Sequence, residues 1–120
     1  MAHPRGSPTD AKIVEAASVF AALGDETRLR IVARLCDRGP QSIVRLTEGS
    51  RVTRQAVTKH LVALSHAGLV RSERVGRETV WELEPERLVH VRRYLDRISA
   101  QWDEAIGRLK AFVETPTPKP

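Results

Sequence analysis

Arg54 and Gln55 are the side chains whose types and spacing point most directly to a chemistry. An arginine can donate two parallel hydrogen bonds to O6 and N7 of guanine, and a glutamine can pair with N6 and N7 of adenine. Both follow Thr53, whose hydroxyl can cap a helix starting at Arg54. Val57, Leu61 and Leu64 give that helix an apolar face. Thr58, Lys59 and Val62 follow Arg54 and Gln55 on nearby faces. Thr53, Arg54, Gln55, Thr58, Lys59 and His60 are therefore candidate contacts to a DNA groove and its phosphates. His60 suits phosphate contact or packing between helices, and His66 suits the cationic end of the same helix.

Charge is concentrated around that helix. From Arg45 to Arg77 there are seven basic and two acidic residues, a net +5 that equals the charge of the whole chain. Arg51 precedes the helix; Arg71, Arg74 and Arg77 recur beyond it, along a strand and into a turn. They can meet phosphate or a minor groove, or pair across a hairpin with Glu73, Glu78 and Glu82. A merely solvated polar face would use the same residue types, and the preference for arginine (16 Arg, 4 Lys) also fits a GC-rich genome.

Other chemistries lack their residues. Cys36 is the single cysteine, which excludes an internal disulfide framework and a multi-cysteine zinc site. It falls in an apolar helical pattern and reads as a small buried hydrophobe without a resolving partner for redox sensing. His3, His60, His66 and His90 could bind a metal only with carboxylate help. No Ser/His/Asp arrangement, paired-carboxylate motif, phosphate loop or dinucleotide fingerprint is present, so neither an enzyme nor a cofactor is expected.

The elements that must position these residues follow from the rest of the sequence. Its 120 residues, 41% apolar, suit one domain with a core. No apolar run approaches the ~18 residues of a membrane helix. Met1 to Asp10 has no apolar stretch of the secretory type, so a cytoplasmic protein is expected. Asp10 can cap a first helix over 11–23, and Asp25 a second that stops at Gly39-Pro40. Ser42 can cap a short third helix with Ile43, Val44 and Leu46 apolar. A turn at Gly49-Ser50-Arg51 and the helix after Thr53 complete a helix-turn-helix. Residues 69–74 and 78–83 read as two strands joined through Val75-Gly76-Arg77, a wing. Pro85 can open a last helix reaching Glu114. The predicted fold is mainly α, five helices with a two-stranded wing, over residues 10–114; residues 1–9 and 115–120 read as disordered tails.

The last helix is predicted to be too long for its own domain to cover, at ~45 Å for 30 residues. Leu88, Val91, Leu95, Ile98, Trp102, Ile106, Leu109 and Phe112 recur along it at steps of three and four. With Ile13, Ala17 and Phe20 of the first helix, the residues from Leu95 to Phe112 are expected to pair with a second copy of the chain.

Two segments carry a resemblance to a known family. Ala22-Leu23-Gly24-Asp25-Glu26-Thr27-Arg28-Leu29-Arg30-Ile31 resembles the opening signature of the ArsR family of winged-helix repressors. Thr53 to Leu61 is similar to that family's recognition helix, and Leu64-x-x-Ala67-Gly68-Leu69-Val70 to its exit into the wing. The likeness runs from about Ala16 to Val113. It implies a homodimer that binds an inverted-repeat operator in double-stranded DNA, usually as a repressor released by a signal. The family's thiolate positions fall at Ser42 and Val44, neither a soft-metal ligand, and its other metal site would lie on the last helix, where only His90 stands with Asp96, Asp103 and Glu104 at the wrong spacing.

The expected function is thus operator-specific transcriptional regulation by a dimer, without metal or cofactor and away from membranes, with room for an unidentified small-molecule effector. Two alternatives stay open on the sequence: a metal- or thiol-responsive sensor, and a chromosome-associated protein that binds DNA by charge alone.

Overall fold

Three short polar side chains set the helix starts. In the computed structural model, which describes residues 8–114 and only the backbone of Pro8 and Thr9, Asp25 accepts from the backbone N of Arg28 at 3.0 Å and opens α2, Glu26–Arg38. Ser42 accepts from Arg45 N at 3.3 Å and opens α3, Ile43–Thr47. Thr53 accepts from Ala56 N at 3.1 Å and opens α4, Arg54–His66. Each satisfies one of the amide groups left without a partner at a helix start.

The first helix, α1, runs Pro8–Leu23 and so begins before the expected cap at Asp10. Asp10 lies instead in its first turn, where an anion suits the dipole. Of the two expected tails, Pro8 and Thr9 belong to α1, and residues 1–7 and 115–120 lie outside the described residues.

The end of α4 is fixed by Gly68, whose φ is +76°. Leu69 N donates to Leu64 O at 3.0 Å and Gly68 N to Ser65 O at 2.9 Å, a Schellman closure with Leu64 and Leu69 both buried. Because Leu69 closes the helix, strand β2 starts one residue later than expected, at Val70, and runs to Val75. It pairs antiparallel with β3, Glu78–Leu83, from Val70↔Leu83 to Val75↔Glu78. The two-residue turn between them has Gly76 at φ +63° and no positive φ at Arg77, the type II′ pattern that matches strand twist.

The sheet holds one strand more than the sequence predicts. Gln41–Ser42 forms β1, which covers the other edge of β3 through Gln41↔Trp81 and Ser42↔Val80, giving the order β1-β3-β2. Two residues of extended chain before a helix cap leave no periodic signal in the sequence.

Val19, Leu35, Leu46, Val57, Leu61, Leu64, Leu69 and Trp81 form the centre of one core. One position of α2 departs from expectation: Cys36 is exposed, so it is not the buried hydrophobe its spacing predicts. The inward arc of α2 is narrow, with Ile31 and Leu35 buried and Val32 at its edge; Cys36, one turn beyond Val32, lies outside it.

The fifth helix, α5, runs Pro85–Glu114. Val91 is buried and Leu88 packs against the core, but every residue from 99 to 114 is exposed. Trp102 is 65% and Phe112 81% exposed, and Leu95, Ile106 and Leu109 are exposed with them while Ile98 is half-buried. Ile13, Ala17 and Phe20 on α1 are also exposed.

Candidate nucleic-acid interface

The helix-turn-helix is held by two arginines that α2 sends to either side. Arg34 Nη1 donates to Leu46 O at 2.8 Å and Nη2 to Glu48 O at 3.0 Å, satisfying carbonyls at the end of α3 and in the turn. Arg28 Nε donates to Ala22 O and Nη2 to Ala21 O at 3.4 Å, the last carbonyls of α1. Arg28 Nη1 also lies 3.5 Å from His60 Nδ1 on α4, and Asp25 Oδ1 lies 4.0 Å from the same nitrogen. The segment from Asp25 to Arg34 therefore starts α2, finishes α1 and α3, and touches the recognition helix.

The Asp25 carboxyl sits below the usual carboxylate range, chiefly because it accepts the Arg28 backbone N–H, with the His60 and Arg28 charges adding to the effect. A carboxylate with a lowered pKa stabilises the fold above its ordinary titration range and loses that contribution on acidification.

Sequence reasoning overlooked Arg28 and Arg34. Their signal is positional: they stand three residues before and three after the buried Ile31, so cations flank the inward face of an amphipathic helix. Replacing Arg34 with alanine should lower the unfolding free energy by about 1–2 kcal/mol, the scale of charge-assisted bonds at a partly exposed site. Urea unfolding reads this, and an unchanged midpoint would mean that the clamp contributes nothing.

On α4 the buried face is Val57, Leu61 and Leu64, and the opposite side carries exposed Gln55, Lys59 and Val62, while Arg54 lies in line with Val57 and Leu61 and is exposed because it opens the first turn. The side chains of Arg54, Gln55 and Lys59 make no hydrogen bond or ion pair among the described residues, so their donors and acceptors are free for a ligand. Thr58 is different: its hydroxyl donates to Arg54 O at 2.9 Å, leaving mainly its methyl and a lone pair to face outward. His60 is half-buried, its Nδ1 turned toward Asp25 and Arg28. Thr53 has committed its oxygen to the cap.

The wing divides its arginines. Arg71 Nε donates to Glu82 at 2.7 Å and Nη1 to Glu84 at 3.2 Å, and the Glu82 hydrogen bond, with the charges of both carboxylates, raises its pKa further. Arg71 thus fastens the base of the hairpin, the pairing its sequence context allowed. Arg74 sits opposite Thr79 near the tip and Arg77 in the turn; both are exposed and unpaired among the described residues, as is Arg51 beside α4. Among the described residues, the free cations around the helix-turn-helix and wing therefore include Arg45 on α3, Arg51 in the turn, Arg54 and Lys59 on α4, and Arg74 and Arg77 on the hairpin.

That arrangement can place side chains against base edges from a helix N-terminus while the hairpin reaches the flanking backbone. The chain is similar to known proteins. Residues 23–73 match a helix-turn-helix domain family. An HTH-type transcriptional regulator of Mycobacterium tuberculosis is 39% identical over 96 residues, which cover 80% of this chain and 86% of that protein. An ArsR-like transcriptional regulator from Rhodococcus sp. RHA1 superimposes with a TM-score of 0.76 at 42% identity, over 88% of this chain and 99% of that one. The homodimeric winged helix-turn-helix DNA-binding domain of a Mycobacterium bovis protein matches with a TM-score of 0.61 at 22% identity, over 88% of this chain and 95% of that one, a likeness of fold.

Proposed function

The chain belongs to the ArsR family of winged helix-turn-helix, DNA-binding transcriptional regulators, and on that footing we propose that it is a homodimeric repressor of an inverted-repeat operator, working in the cytoplasm and not released by metal ions. One observation carries the specific part: Arg54 and Gln55, the two side chains suited to base edges, stand unpaired at the exposed start of a capped helix. Binding by charge alone would not draw on Gln55, which is neutral, whereas base recognition would.

Dimerisation is supported by the exposed apolar residues of α1 and α5 and by the M. bovis neighbour, which is described as homodimeric. Among the described residues no helix is long and apolar enough to cross a membrane. Selection of genomic fragments by the purified protein should enrich one inverted repeat. Recovery of fragments without a common sequence would favour the charge-only alternative.

The independence from metals rests on the chemistry of the positions that the family uses. Ser42 is buried and its oxygen caps α3, and Val44 has no ligand atom. His90 Nδ1 lies 3.2 Å from Glu15, a carboxylate that also faces Arg87 at 3.7 Å, so a divalent cation there would meet a fixed positive charge. Zinc, cadmium, nickel and arsenite are expected to leave the operator complex intact in a titration followed by fluorescence anisotropy. Stoichiometric release by any of them would contradict this reading.

A further inference from the structure

Beside the apolar stripes of α1 and α5 runs a cleft of about 270 Å³, lined by Lys12, Glu15 and Ala16 of α1 and by His90, Arg93, Tyr94 and Arg97 of α5, with Val91 at its base. We propose that this cleft binds a small organic carboxylate, one per protomer, through Lys12, Arg93 and Arg97. The proposal goes beyond operator binding, which neither needs nor uses these residues.

The charge balance points to an anion. The one acid of the cleft, Glu15, is already engaged by His90 at 3.2 Å and by Arg87 at 3.7 Å. Lys12, Arg93 and Arg97 have no ion pair or hydrogen bond among the described residues. Three unneutralised cations around one concavity repel each other and raise the local concentration of anions. Two of them are arginines, whose planar fork matches a carboxylate.

The rest of the lining selects an organic anion over a bare one. Ala16 and Val91 are buried and give the cleft an apolar floor, and Tyr94, half-buried, adds an aromatic wall. Inorganic phosphate would leave that surface wet, whereas a ring or short chain would cover it. The volume lies near the lower end of the ~300–1,000 Å³ usual for ligand pockets, which limits the occupant to a small molecule.

Position makes the site accessible in a dimer and relevant to it. On α1, Lys12, Glu15 and Ala16 lie roughly a third of a turn from Ile13, Ala17 and Phe20. On α5, His90, Arg93, Tyr94 and Arg97 lie at a similar angle from Leu95, Ile98 and Trp102. The cleft therefore flanks the apolar stripe on both helices. A carboxylate held between Lys12 and the arginines ties α1 to α5, the pair that in the proposed dimer, on which this step rests, sets how two protomers meet and hence how far apart their recognition helices stand. Any resulting change in operator affinity is matched by an equal change in ligand affinity.

Isothermal titration of the DNA-free protein tests the site without involving the operator. The probes are benzoate, hexanoate, the neutral benzamide and inorganic phosphate, against the full chain and the exposed-site variant R93Q/R97Q. At least one of the two carboxylates should saturate one site per protomer with a dissociation constant in roughly the millimolar range or tighter. Benzamide and phosphate should bind about tenfold more weakly or not at all, and R93Q/R97Q should lose about tenfold or more in carboxylate affinity. Circular dichroism checks that the variant is folded, and K12Q supplies an independent test should it not be. The proposal is overturned if neither carboxylate saturates, if phosphate or benzamide binds as well, or if binding survives the substitutions in a folded variant.

Discussion

Placing carboxylates at Trp102 and Ile106 together, by W102D/I106D, is expected to split the dimer and to weaken operator binding by at least about a hundredfold. Both side chains are exposed, on the part of α5 where every residue is exposed. The substitutions therefore leave the core from Val19 to Val91 intact, and the thermal transition of the domain should survive. In the assembled state the effect is doubled by symmetry, since each protomer brings both changes to the same seam. An unpaired carboxylate in an apolar contact costs several kcal/mol, while each large side chain removed forfeits about 1.5–3 kcal/mol of burial. Leu95, Trp102, Ile106, Leu109 and Phe112 are exposed along one helix, and a row of exposed apolar side chains of this kind marks an interaction surface. Sedimentation velocity at micromolar concentration should give a dimer for the natural chain and a folded monomer for the variant. A stable natural monomer, or a variant that remains dimeric with full operator affinity, would remove α5 from the interface.

Most of the architecture was legible because it rests on local rules. Asp25, Ser42 and Thr53 are short polar caps directly before apolar periodicity, and each makes the predicted capping bond. Gly68 and Gly76 mark a helix end and a tight turn, and both take positive φ. What escaped the sequence were long-range contacts. The pairing of Gln41 with Trp81 joins residues forty positions apart through backbone groups that every residue possesses. The Arg28 and Arg34 clamps depend on carbonyls presented by other helices. Cys36 shows the limit of periodicity: a repeat of 3.6 finds the apolar face but not its width, which the neighbouring helices decide. Within the candidate interface the residue types were readable and their commitments were not. Arg71, Thr58 and Thr53 spend their polar atoms inside the protein, whereas Arg54, Gln55, Lys59, Arg74 and Arg77 do not.

The second large effect separates reading from holding. Arg54 stands at the start of α4 with its guanidinium free, so in the proposed complex it enters the major groove and pairs with a base edge. Arg77 stands in the two-residue turn of the hairpin, and in the proposed complex it meets backbone or minor groove. Removing a bidentate base contact costs ~1–3 kcal/mol at the operator and little elsewhere. Removing a phosphate contact costs affinity on every sequence and lowers the salt slope by about one per protomer, hence about two for a symmetric dimer. Arg54→Ala should therefore lose discrimination while keeping most non-specific affinity, and Arg77→Ala should lose both together, more so at low salt. The decisive measurement is the ratio of operator to random-duplex affinity for the natural chain and these two variants across a salt series. Reading by α4 predicts that the ratio collapses for Arg54→Ala and is retained for Arg77→Ala. Equal weakening of both duplexes by Arg54→Ala, with the ratio unchanged, would contradict base recognition at that position and leave charge as the whole basis of binding.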